Sequence, residues 1–187
     1  MERCPWCGSD PIYVKYHDEE WGAPVHDERK HFEFLLLETQ QAGLSWMTVL
    51  KKREAYRKAF LNFDVSAVAR FGDAEIEKLM ADAGLIRNRR KLEAAVKNAK
   101  AFLKIQDEFG SFDAFLWNFV AGVPIVSGRT SISEIPATTP VSDRLSEELK
   151  KRGFAFVGST TMYAHMQAVG LANDHLVSCF RYKELTQ

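Results

Sequence analysis

No segment of this chain is apolar over the roughly 20 consecutive residues that a helix needs to cross a bilayer, which excludes a membrane-spanning helix. Cysteine is scarce, with three in 187 residues. That number cannot build a paired disulfide framework, and in a reducing compartment such thiols bind metal or lie idle in a core. The first residues, Met1-Glu2-Arg3-Cys4, lack the apolar stretch of a signal peptide, so cytoplasmic residence is expected. An excess of charge of one sign is missing too, because 25 basic and 25 acidic residues cancel. That balance rules out a protein that grips polyanions by bulk charge alone. Repeats and low-complexity tracts are absent.

What remains is an ordinary globular composition, 46% apolar and 27% charged, on a chain long enough for one domain with a real core. The patterning predicts an all-α globule. Phe32, Leu35, Leu36 and Thr39 recur at helical spacing behind Asp27, a plausible N-cap. A second helix is expected after Gly43, with Leu44, Met47, Leu50 and Lys51 inward and a basic tail through Lys58. Further helices are expected over 73–82, about 89–102, 112–120, from Thr139-Pro140 or Ser142 to Gly153, and lastly from about Ser159 to Gly170. The stretch 122–140, with three of the six prolines, reads as a long loop, and Phe154-Ala155-Phe156-Val157 as the best strand-like segment.

Two cysteine/histidine pairs stand at opposite ends of the sequence, Cys4 with His17 and His175 with Cys179. On a helix, the i, i+4 spacing of the second pair would place both side chains on one face. Together the four make a Cys2His2 set suited to a closed tetrahedral zinc site that staples the termini. Spacing alone leaves an alternative, since Cys4-x2-Cys7 is itself a zinc-knuckle pattern that could pair with His175 and Cys179.

Three basic clusters interrupt the neutral balance: Lys51-Lys52-Arg53, Arg87-Asn88-Arg89-Arg90-Lys91 and Lys150-Lys151-Arg152. The middle one opens a helix behind the apolar turn Ala83-Gly84-Leu85-Ile86. Such a hairpin either offers helix-start N–H groups to a DNA phosphate, ringed by Arg87, Arg89 and Arg90, or is a plain αα turn with Gly84 as C-cap. Near the N-terminus, Trp6, Tyr13, Tyr16 and Trp21 are dense for a segment with little apolar periodicity. Glu38 follows the very apolar Phe32–Leu37 run, so its carboxyl stands at a solvent boundary or beside a pocket that raises its pKa.

Met1-Glu2-Arg3-Cys4 with Trp6, then Tyr16-His17-Asp18-Glu19-Glu20-Trp21-Gly22 and Glu38-Thr39-Gln40-Gln41-Ala42-Gly43-Leu44-Ser45-Trp46, are followed by Lys150-Lys151-Arg152-Gly153-Phe154-Ala155-Phe156-Val157-Gly158 and Asn173-Asp174-His175. This series resembles the 3-methyladenine DNA glycosylase I family, of the helix-hairpin-helix glycosylase superfamily, from residue 1 to about 180. The resemblance implies one glycosylase domain over 1–187, with the hairpin element around 75–102 and zinc-binding terminal segments at about 1–25 and 170–182. It implies Cys4, His17, His175 and Cys179 as ligands of one structural Zn2+, leaving Cys7 as a spare beside the site. Glu38, Tyr16 and Trp46 would line a base pocket walled by Trp6, Tyr13 and Trp21, with Glu38 the candidate catalytic residue, through recognition or chemistry. Leu44, beside Gly43 and accompanied by Gln41, looks like the wedge that fills the gap left by a flipped nucleotide. The family lacks the catalytic aspartate of its superfamily, and no lysine stands out as a Schiff-base nucleophile. A monomeric, monofunctional enzyme releasing 3-methyladenine from alkylated double-stranded DNA is therefore expected. The alternative is a non-catalytic, zinc-stabilised DNA-binding module.

Overall fold

A computed structural model describes residues 2–186; Met1, which opens the N-terminal motif, and Gln187 lie outside the described residues. A single 3-10 turn at Pro5–Cys7 leads to α1 (Pro11–Glu19), where Pro11 takes the first helical position and Asp10 caps the N-terminus. The expected cap of α2 (Glu28–Gln41) is present: Asp27 accepts from the Lys30 N–H at 2.8 Å. There follow α3 (Trp46–Leu50), α4 (Arg53–Ala59), α5 (Val65–Val68), α6 (Asp73–Ala81), α7 (Arg89–Phe109), α8 (Phe112–Trp117), α9 (Pro140–Lys151), α10 (Ser159–Ala168) and α11 (Phe180–Leu185). Ile125–Val126 (β1) and Ala172–Asn173 (β2) pair in parallel, with Ile125 opposite Ala172 and Val126 opposite Asn173. Among the described residues no helix is long and apolar enough to cross a membrane.

Helix α2 is the axis. Every residue from His31 to Gln40 is buried, because α3, α7, α8 and α10 pack around it. Its start and its middle are fixed by polar contacts. The Glu28 carboxylate accepts from the Phe112 and Asp113 N–H groups, at 3.0 and 2.7 Å, where α8 begins. Midway along, Glu33 meets the Arg53 and Arg57 guanidinium groups, and Arg53 also forks onto Glu20 at 2.6 and 2.8 Å.

Four expectations are corrected. The helix predicted from Gly43 to Lys58 is two, because Lys52 at φ −99°, ψ 0° opens the ladder; Leu44 is exposed before α3 and the inward residues are Val49 and Leu50. Helix α7 runs past residue 102 to Phe109, with Phe102 and Ile105 extending the buried stripe until Gly110 turns left-handed at φ +84°. Phe154–Val157 is no strand, since the Ala155 N–H and C=O are both taken by the Asn98 side chain, at 2.8 and 3.0 Å. The chain also continues into α11 beyond α10, a short charged helix without an apolar stripe.

Gly170 lets the end of α10 lie against the segment that follows α1. A Cβ there would sit 2.4 Å from the Ala23 carbonyl carbon and the Pro24 nitrogen, at φ +76°. Gly170→Ala is expected to destabilise the fold by about 2–4 kcal/mol, read as a lower urea midpoint at unchanged slope.

Candidate functional site

Cys4, His17, His175 and Cys179 converge, all buried, with one ligand atom from each lying within 4.8 Å of every other. The Cys4 Sγ–His175 Nδ1, Cys179 Sγ–His175 Nδ1 and Cys179 Sγ–His17 Nε2 separations are each 3.5 Å. A tetrahedron with bonds of about 2.0–2.3 Å has edges of roughly 3.3–3.8 Å, so the set fits an ion at its centre. The outward ring nitrogens are already engaged: His17 Nδ1 with Asp18 Oδ1 and His175 Nε2 with the Trp21 carbonyl, both at 2.8 Å. Arg3 holds Asp18 in turn through two nitrogens. Burial pushes His175 down to about 4 and lowers His17, and it pushes the Cys4 thiol up to about 12. Cys7 is outside this set, its thiol turned to the Cys4 carbonyl at 3.2 Å.

The i, i+4 pair does not lie on a helix. Asn173 Oδ1 accepts the His175 N–H, Cys179 bonds back to Leu176, and α11 starts only after Cys179. A turn brings the ligands together where the spacing pointed to a helical face. Gly22 makes room for the approach, since a Cβ there would come within 2.9 Å of the His175 ring.

Beside the cluster is a cavity of about 430 Å³. Trp6, Tyr13, Tyr16 and Trp21 form one side, Trp6 meeting Trp21 edge-on at 4.9 Å and Tyr13 at 5.1 Å. Helices α2 and α3 add Glu38, Gln41 and Trp46, the last 5.4 Å from Tyr16. The structure therefore brings together all six residues expected to form a pocket. Glu38 is 4% exposed, and burial alone pushes its carboxyl up to about 8. Tyr16, buried near this carboxyl, is held well above its ordinary range and stays a neutral phenol. The indole N–H groups of Trp6 and Trp46 find no partner among the described residues.

The opposite wall escaped the sequence: Ile132 and Ile135 from the proline-containing loop, and Thr160, Ala164 and Gln167 from α10. Asp174 organises it, accepting from Gln167 Nε2 at 2.8 Å, Arg129 Nε at 3.2 Å and the Tyr163 hydroxyl. This aspartate belongs to the motif Asn173-Asp174-His175.

At the cavity mouth Gly43, at φ +78°, turns the chain so that Leu44 is 38% exposed, and Gln41 Nε2 donates to the Leu44 carbonyl at 2.6 Å. The hairpin between α6 and α7 is anchored by buried Leu85, and Asn88 caps α7. Arg87, Arg89 and Arg90 are exposed there; Arg89 is engaged by Glu77 at 2.6 Å, whereas Arg87 and Arg90 have no ion-pair partner among the described residues. The three basic clusters do not share one face. Arg152 bonds Glu108 near the far end of α7, roughly 30 Å from Arg89 along the helix. Lys51 and Arg53 are spent on Asp10, Glu20 and Glu33.

Fold and site define a helical protein with an aromatic-walled cavity beside a Cys2His2 cluster and a basic hairpin ahead of α7. Comparison with known proteins makes the class specific. DNA-3-methyladenine glycosylase 1 of Escherichia coli (strain K12) is 52% identical over 182 residues, 97% of this chain and 97% of its own. A crystal structure of 3-methyladenine DNA glycosylase I superposes with a TM-score of 0.93 at 50% identity, covering 96% of this chain and 98% of that one. A second, describing the structural basis of 3-methyladenine recognition by the Staphylococcus aureus enzyme, gives 0.93 at 40% identity over 96% of each chain. The chain belongs to the methyladenine glycosylase family, whose model it matches over residues 6–182.

Two measurements test the geometry. Cys179→Ala is expected to lose bound metal by elemental analysis and to melt at a lower temperature. Glu38 titrates near its ordinary 4.5 when unfolded and near 8 when folded, so the folded state carries the extra proton between those values. Stability is then highest below about 4.5 on this group's account and is lost as pH rises through about 8. Glu38→Gln, which mimics the neutral acid, is expected to flatten that decline in urea unfolding at pH 5 and pH 8.

Proposed function

We propose that the chain is a monofunctional DNA-3-methyladenine glycosylase, hydrolysing the N-glycosidic bond of 3-methyladenine in alkylated double-stranded DNA. One observation carries this reading: in a member of the methyladenine glycosylase family, an aromatic-walled cavity holds a carboxyl kept neutral by burial, with no compensating cation among the described residues.

An adenine methylated at N3 is cationic while still joined to deoxyribose, and is already a good leaving group. The protein's task is then to extrude the nucleotide, hold the base, and let positive charge pass to the sugar while water adds. The π faces of Trp6, Tyr13, Tyr16, Trp21 and Trp46 attract the cation, at roughly 0.5–2 kcal/mol per good contact. A neutral Glu38 matches the adenine edge, accepting from N6–H2 and donating to N7, where guanine offers acceptors at both positions. The residues lining the cavity include one carboxylate and no lysine, consistent with base release without an aspartate base or a Schiff base.

The ion we assign to the cluster is one structural Zn2+, which suits two thiolates and two imidazoles and leaves no open position for water. Its chemistry would be to tie the ends of the chain. Leu44, with Gly43 and Gln41, acts as the wedge. The start of α7, with Arg87 and Arg90 free and Arg89 paired, meets the phosphates as a helix-hairpin-helix element. Cavity, wedge and hairpin all belong to one chain, so a monomeric single domain suffices, working in the cytoplasm at the nucleoid.

Release of free base from N-methylated duplexes tests the reading. Glu38→Met, which keeps most of the volume but removes both the donor and the acceptor, is expected to lower kcat/KM roughly 10- to 100-fold with unchanged metal content. Trp46→Ala should weaken binding of free 3-methyladenine by about 1–2 kcal/mol in calorimetry. Full activity in the first variant and parental affinity in the second would refute these roles.

A further inference from the structure

Lys91 closes the basic run Arg87–Lys91, yet its ammonium is not a surface charge. The residue is 5% exposed, and Nζ donates to the Gln40 and Ala42 carbonyls, at 2.8 and 2.6 Å, where α2 ends. No carboxylate pairs with it among the described residues, and burial lowers its pKa. Gln40 returns the contact, its Nε2 donating to the Lys91 carbonyl at 3.1 Å. Gln40 Oε1 accepts from the Tyr56 hydroxyl at 3.2 Å, whose oxygen accepts the Ile86 N–H of the hairpin at 3.1 Å. The hairpin, the first turn of α7 and the last turn of α2 are thus one hydrogen-bonded unit. The next residues after Ala42 are Gly43 and exposed Leu44.

Burying an ammonium without a counter-ion is costly, and an apolar side chain of similar length would avoid that cost. What the ammonium alone supplies is a fixed position for the two carbonyls that launch the Leu44 turn. We infer that Lys91 is a positioning residue that locks the Leu44 turn to the hairpin, so that the wedge enters the duplex in register with the grip of α7 on the backbone. This rests on the glycosylase reading and assigns Lys91 to extrusion of the nucleotide, not to binding of the base.

Lys91→Met keeps most of the stem and removes the charge. The expected result is affinity for free 3-methyladenine within about twofold of the parent. Excision from methylated duplex should fall roughly tenfold or more, with excision from methylated single strands much less affected. In a Leu44→Ala background the same substitution should cost nothing further, because its effect passes through that residue. A matching loss of free-base affinity, or losses that multiply in the double variant, would overturn the inference. Should Lys91→Met fail to fold, Tyr56→Phe breaks the Ile86–Tyr56–Gln40 path at nearly constant volume and carries the same comparisons. A parent protein that neither binds nor releases 3-methyladenine refutes the glycosylase reading itself. An active parent matched in every assay by both variants refutes only the coupling.

Discussion

The shape of the cavity depends on Cys4 and His17 meeting His175 and Cys179. Four of its wall aromatics, Trp6, Tyr13, Tyr16 and Trp21, come from a segment whose one helix has too weak an apolar stripe to anchor itself. That segment is pinned by Cys4 before it and His17 within it, and His175 accepts the same duty at the Trp21 carbonyl. Linking the chain ends is inexpensive in entropy for what it fixes, because closure cost grows only logarithmically with the length enclosed. The aromatic side of the site is held by buried residues from the chain's two ends.

Helix α2 places two buried carboxylates under opposite conditions. Glu33, 2% exposed, lies against the Arg53 and Arg57 guanidinium groups, whereas Glu38, five residues on and 4% exposed, has no such partner. The first completes an ion network joining α1, α2 and α4. The second is left neutral, where it can present both a donor and an acceptor. The difference is one of neighbours, not of depth, and it separates a side chain that stabilises the fold from one free to meet a ligand.

Long-range convergence was legible in the sequence only through chemistry-bearing residue types. The Cys/His quartet and the aromatic–Glu38 group stood out because such residues are rare or out of place in their segments, and the fold unites both sets. Helix α2 was legible from its N-cap and apolar run. Where the sequence misled, another group had captured the backbone: the Asn98 side chain takes both polar groups of Ala155, and the Asn173 side chain with the Leu176 carbonyl bends the His175–Cys179 segment into a turn. The far wall left no local mark. Ile132 and Ile135 are unremarkable apolar residues in a loop, and only the contacts of Arg129 with Asp174 and the Glu134 carbonyl show why they stand where they do.

That wall gives the site an uneven capacity for change. One side is built from helices whose residues also fill the core, so altering it disturbs the whole molecule. The other joins one face of α10 to an irregular span tied at a two-residue strand pair and one arginine, with Ile132 itself 38% exposed. An exchange at Ile132 alters the loop side of the cavity while touching little of the interior, whereas Ile135 also packs against the core. The exposed rim at Ile132 is thus the part of the boundary most tolerant of substitution.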